Sequence, residues 1–160
     1  MHPNAALLDR LFRNLDLHRA GRMAECYHPK ATFRDIAFDL HGKDEIHAMW
    51  RMICGGDIRA TFVIVHADDE CGMVKLVDDY TFTDTGRKVR NTIESRFRFR
   101  HGLIVEHRDA CDAKAWASAA LGGVAGFLAG RCRFLRAWKA RNKLRQFLTL
   151  EKKHSEEVEK

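Results

Sequence analysis

Leu7, Leu8, Leu11, Phe12 and Leu15 recur at helical spacing near the start of the chain. With Pro3 suited to a helix start and Gly21 to a stop, they predict an amphipathic helix over residues 4–19. A short second helix over Arg22–Tyr27 is expected to end before Pro29, whose ring and missing N–H forbid continuation. ATFRDIAFDLHG, residues 31–42, reads as an extended segment closed by Gly42. In KDEIHAMWRMIC the apolar positions Ile46, Met49, Trp50 and Ile53 return to helical intervals, until Gly55 and Gly56 end the run.

Beyond Gly56 the period changes to two. IRATFVIVHA, CGMVKLVDDYTFT, RKVRNTIESRFRFR and LIVEHRDACD are separated by turn signals at Asp68-Asp69-Glu70, Thr85-Gly86 and His101-Gly102, and predict a meander of long antiparallel strands. In the third run Ile93, Ser95, Phe97 and Phe99 alternate with Thr92, Glu94, Arg96, Arg98 and Arg100, one apolar face and one charged, as in a sheet wetted on one side. In the fourth, strict alternation puts Val105, His107, Asp109 and Cys111 on one side and Ile104, Glu106, Arg108 and Ala110 on the other. If the first set faces inward, an imidazole and a carboxylate enter the core. That is costly unless they pair or line a ligand chamber.

Helices return at Trp116 and Leu121, and the GGVAG string within them reads as close helix packing rather than a phosphate loop. Phe134, Ala137, Ala140, Leu144, Phe147 and Leu148 mark the apolar stripe of a last amphipathic helix, expected to pack on the domain or on a dimer mate. The order of elements is α+β: a cone-shaped, curved antiparallel sheet wrapped around N-terminal helices, with a C-terminal helical extension. The expected units are a cone domain over residues 1–122, a basic helical extension over 123–152 and a disordered tail over 153–160.

Composition narrows the choices. A chain of 160 residues, 46% hydrophobic, supports one core rather than two. Five scattered cysteines without C-x-x-C spacing argue against a disulfide framework and against zinc, and fit a cytoplasmic location. No basic-then-apolar signal opens the chain, and Ala113–Gly130, broken by Lys114, Ser118 and glycines, is a poor bilayer span. The net charge of +6 is concentrated late: seven Lys or Arg and no acid lie between Arg131 and Arg145. Contact of that helix with an anionic membrane surface is an open possibility. Nucleic acid is not expected, since the basic residues are not interleaved with aromatics on a sheet.

The strings YHPKATFRDI, LHGKDEIHAMW, TGRKVRNTIESRFRF and GLIVEHRDACD, in that order over roughly residues 5–122, resemble the nuclear transport factor 2-like superfamily, and within it the SnoaL-like polyketide cyclases and ketosteroid isomerase. The resemblance implies a cone fold, a pocket for a hydrophobic small molecule, a homodimer and cofactor-free chemistry. By position Asp35 matches the isomerase's general base, while Asn14 and Ser95 stand where that enzyme has its tyrosine and acidic oxyanion donors. In the cyclases the acid–base aspartate comes from the last strand, near Asp109, with His107 one inward position earlier.

Asp35, His107 and Asp109 are therefore the catalytic candidates for proton abstraction beside a carbonyl, which needs a carboxylate or imidazole in an apolar surround. Asn14, Trp50, Tyr80, Ser95 and Phe97 are the candidates for holding the substrate. Asp78 and Asp79, consecutive on a strand, are expected to point to opposite faces. Two functions stay open: an isomerase, cyclase or dehydratase-like enzyme, and a non-catalytic binding or interaction module with its acids paired off and its pocket filled by Phe97, Phe99 and Trp116. No metal and no cofactor is expected.

Overall fold

The computed structural model of the chain describes residues 1–158. Helix α1 (Pro3–Asp16) begins as expected but stops short of Gly21: His18 takes a positive φ of 57° and its ring bonds the Ile58 carbonyl, Nε2 to O 2.7 Å. Helix α2 (Ala20–Ala24) consequently starts and ends earlier than the sequence pattern suggests, and Tyr27 already opens strand β1 (Tyr27–Arg34). Pro29 lies inside β1, where the pairing with the neighbouring strand is irregular between Tyr27 and Thr32 and no N–H is required. The single extended segment expected over residues 31–42 is a hairpin instead. Its turn is built by Asp35, whose Oδ1 accepts from the N–H groups of Ala37 and Phe38, and β2 (Asp39–His41) returns antiparallel to β1.

After α3 (Lys43–Cys54), the strands β3 (Arg59–Ala67), β4 (Cys71–Phe82), β5 (Arg87–Arg100) and β6 (Leu103–Cys111) form the antiparallel meander read from the alternation. The six-stranded sheet has the order β2-β1-β6-β5-β4-β3, with β1 parallel to β6. The β5–β6 turn holds two residues, His101 and Gly102, both at positive φ as a tight hairpin of right-twisted strands demands. One inference from alternation fails. Ile104, not Val105, is the fully buried neighbour of His107, because Arg98 pairs with Glu106 and Phe99 with Ile104, leaving Val105 as an extra, bulged residue.

The core lies on the concave side of the sheet. Leu8, Leu11 and Phe12 of α1 and Ile46 and Met49 of α3 are fully buried against Tyr27, Phe33, Leu76 and Ile104. Each such side chain contributes about 1.5–3 kcal/mol through apolar surface removed from water.

Three helices follow: α4 (Ala113–Leu121), α5 (Gly123–Arg131) and α6 (Arg133–Val158). The glycines of α5 bring it hard against α4: a Cβ on Gly126 would meet the Ala117 carbonyl oxygen at 2.8 Å. Helix α6 reaches back to α3, where the Arg51 guanidinium grips the Glu151 carboxylate at 3.0 Å, and Leu144 enters the core. Its apolar stripe is divided. Ala137, Ala140, Leu144 and Phe147 are at least half-buried, whereas Phe134 is 87% exposed. Residues after Lys152, expected to lack structure, extend α6 through Val158, and the last two residues of that expected tail lie outside the described residues.

Candidate functional site

A cavity of about 280 Å³ opens between the concave face of the sheet, α3 and the C-terminal helices. Its wall is mostly apolar, with Phe33, Trp50, Leu76, Ile93 and Trp116 among the lining side chains. Ionisable groups interrupt it, among them Asp35 from the β1–β2 turn, Asp78 and Tyr80 from β4, and Asp109 from β6, with Asp57, Asp84, Cys111, Arg136, Lys139 and Lys143 also on the lining. Strand geometry explains the convergence. Asp78 and Tyr80 are two apart on β4 and share a face, while β5 lies between β4 and β6 and pairs its Ser95 with Asp109.

Behind Asp109 runs a buried chain of hydrogen bonds. Trp50 Nε1 lies 3.2 Å from Tyr27 Oη, Tyr27 Oη 2.8 Å from His107 Nδ1, and His107 Nε2 2.8 Å from Asp109 Oδ1. One assignment of protons satisfies every member: the indole donates to the phenol, the phenol donates to Nδ1, and Nε2–H donates to the carboxylate. His107 has no exposed surface and is packed by Phe97 and Phe33, with ring centroids 4.3 and 4.8 Å away. It orients Asp109 from behind.

The cavity acids differ in character. Burial pushes Asp35 up to about 6, against the Ala37 and Phe38 N–H groups that stabilise its charge and with help from the charge of Asp109. Burial also pushes Asp78 up to about 8, the charges of Asp109 and Asp79 adding to it. Asp78 is 7% exposed, and its Oδ1 has no hydrogen-bond partner among the described residues. Asp79 points the other way and meets Arg90 at 3.0 Å, so the pair straddles the sheet. Tyr80, raised to about 12 by burial, accepts from Trp116 Nε1 at 2.7 Å, which leaves its own O–H free to donate into the cavity.

Of the residues singled out from sequence, Asp35, Asp109, Trp50 and Tyr80 border the cavity. His107, Ser95 and Phe97 do not: His107 and Phe97 belong to the packed closed end of the cone, and Ser95 is fully buried with an unpartnered Oγ. Asn14 is away from the cavity altogether, its amide donating to the Arg10 carbonyl at 2.7 Å one helical turn back. Asp78 and Tyr27 were not among the candidates. The Asp78-x-Tyr80 spacing on one strand face was the available signal for the first, whereas only the folded pairing of β1 with β6 brings Tyr27 to His107. Trp116 and Ile93 share the wall, but Phe97 and Phe99 do not fill the cavity.

A second, more polar cleft of about 390 Å³ lies where β1, β5 and β6 meet the start of α6. Arg34 pairs with Arg108 and Arg108 with Arg96 in the strand register, a row of three guanidiniums across neighbouring strands, joined by Arg133 and Arg136. Asp39, Glu106 and Glu94 each take one of the three strand arginines, at 2.9, 2.7 and 2.7 Å. Separately, the β3–β4 turn gathers His66, Asp68 and Cys71 with ligand atoms within 4.8 Å of one another, a grouping that their spacing did not suggest. There Asp68 Oδ2 already faces His66 Nε2 and Cys71 Sγ.

Residues 8–107 match the sequence model of the SnoaL-like domain. No curated protein matches the chain. Solved structures share the fold at low identity. A protein described as a candidate polyketide cyclase from Silicibacter sp. TM1040 superposes with a TM-score of 0.66 at 16% identity, covering 73% of this chain and 94% of its own. An LEH-like epoxide hydrolase of M. tuberculosis gives 0.61 at 14% identity, covering 79% and 95%. A protein of ketosteroid isomerase-like fold from Catenulispora acidiphila gives 0.63 at 11% identity, covering 71% and 91%.

Proposed function

Since the chain belongs to the SnoaL-like domain family, we propose that it is a cofactor-independent acid–base catalyst that moves a proton beside a carbonyl of a hydrophobic small molecule. The observation that carries this reading is the meeting of Asp35, Asp78, Tyr80 and Asp109 around one largely apolar cavity. Asp35, ionised above about 6 yet more basic than an ordinary carboxylate, suits a base that works near neutral pH. Asp78, neutral below about 8, supplies with Tyr80 the hydrogen-bond donors that an enolate oxygen needs, the role that the residues at positions 14 and 95 leave unfilled. Asp109, held by His107, contributes the nearby charge that helps raise both acids. A homodimer belongs to the same proposal.

The test is hydrogen–deuterium exchange at the α-carbons of 2-tetralone in D₂O, followed by proton NMR. Wild-type protein is expected to accelerate exchange over buffer, and Asp35→Asn to lose about 10²–10⁴-fold of that acceleration. A wild-type protein that binds 2-tetralone, by thermal shift, without accelerating its exchange overturns the catalytic reading. That result favours a ligand-holding module, for which the capture of Asp35 by its own turn and of Asp109 by His107 already speaks.

A further inference from the structure

Helices α5 and α6 carry a feature that the cavity does not use. Val124, Phe127 and Leu128 line one face of α5 and are 75, 57 and 52% exposed, while Phe134 and Trp138, one turn apart on α6, are 87 and 62% exposed. The two groups adjoin across Cys132, and the Arg131 guanidinium lies over the Phe127 ring at 3.7 Å. Isolated exposed apolar residues are ordinary, but five large ones on consecutive turns flanking one junction are not.

Charge identifies what they meet. No acidic residue occurs between Asp112 and Glu151, and the side chains of Arg133, Lys139, Arg141 and Arg145 form no hydrogen bond or ion pair among the described residues. The first acid of α6, Glu151, lies roughly 25 Å along the helix from Phe134 at 1.5 Å per residue. The apolar groups sit on the outer surfaces of helices, a crest rather than a groove. A folded partner would need a matching pocket for each ring, whereas the acyl boundary of a bilayer deforms around them. Aromatic side chains bordered by uncompensated arginines are the composition that an anionic membrane interface accepts.

We infer that the α5–α6 crest docks the protein onto anionic lipid surfaces, with Phe127, Phe134 and Trp138 entering the interface and Arg131, Arg133 and Arg141 facing lipid phosphates. No helix among the described residues is long and apolar enough to cross a membrane, so the contact is peripheral. The same two helices wall the cavity through Ala129, Ala140 and Lys143, which places the chamber close to the docked surface.

The probe is a suspension of vesicles of pure phosphatidylcholine, or of phosphatidylcholine and phosphatidylglycerol in equal parts. Of the three tryptophans, Trp50 is buried and Trp116 half-buried, so a blue shift of emission on vesicle addition reports Trp138 and is absent in Trp138→Phe. The full chain is expected to co-sediment with the anionic vesicles and not with the neutral ones. Arg133→Gln and Arg141→Gln are each expected to lower the partition about fivefold, and Phe134→Ser to abolish the blue shift while thermal unfolding stays unchanged. Absence of binding to the anionic vesicles overturns the inference. So does a homodimer, by analytical ultracentrifugation, that Phe134→Ser dissociates while vesicle binding is unaffected, since the crest is then a subunit interface. Both readouts are independent of turnover, so their outcome leaves the acid–base proposal to its own test.

Discussion

Asp78 and Tyr80 stand two residues apart on β4 and border the same cavity, the carboxyl with an oxygen that no described group satisfies and the phenol with its proton uncommitted. An unpaired buried carboxyl is expensive, and the protein lowers that cost by keeping it protonated. What remains is a pair of neutral donors on one rigid strand, facing a carboxylate that β6 and its histidine hold in place.

Catalysed exchange should follow a bell in pH. Its acid limb reflects Asp35 losing its proton near pH 6, and its alkaline limb Asp78 losing its own near pH 8. In Asp78→Asn the alkaline limb should disappear while the acid limb stays. Rates of α-proton exchange measured from pH 5 to pH 9 in both proteins decide it; an unchanged alkaline limb in the variant removes Asp78 from the chemistry.

Folding stability should fall as pH rises across the same range. Asp78 keeps its proton in the folded state up to about 8, whereas in the unfolded chain it loses it near the ordinary value of 3.8. Between those values the folded state binds more protons, so its stability is fully present below about pH 4 and declines by about 1.4 kcal/mol per pH unit for this one group. Asp35 adds the same sign over the narrower window up to about 6. Urea unfolding at several pH values should show the decline in the wild type and a shallower one in Asp78→Asn.

Tyr27→Phe removes the phenol that links Trp50 to His107 and leaves Nδ1 buried without a donor. The expected loss is about 1–3 kcal/mol of stability, with the urea m-value unchanged. An effect below about 0.5 kcal/mol would mean that the imidazole finds another partner.

The sheet was legible in the sequence because its strands carry one wet and one dry face, so alternation fixes which residues of β5 turn inward. Asp35 was legible through the family resemblance, and Asp109 through the alternation of the last strand together with that resemblance. Three things were not. A bulge breaks alternation without any residue type that announces it, and so Val105 was placed on the wrong side. The hydrogen bond between Tyr27 and His107 joins residues 80 apart and depends on parallel pairing of β1 with β6, which local pattern does not encode. Asn14 was assigned by position along α1, but where a helical side chain points depends on how the helix is rotated, and this one faces away from the chamber.

The extra residue at Val105 gives β6 slack at one point only. Toward the hairpin tip the strand answers to the two-residue turn at His101 and Gly102, and toward its far end to the packing of His107 between Phe33 and Phe97. Those two anchors disagree by a single residue, and the mismatch is absorbed where a valine can bow out harmlessly. Changes in the length of the tip are thereby uncoupled from the half of the strand that carries Asp109, whereas gaining or losing one residue between His107 and Asp109 would turn the carboxylate to the opposite face of the sheet.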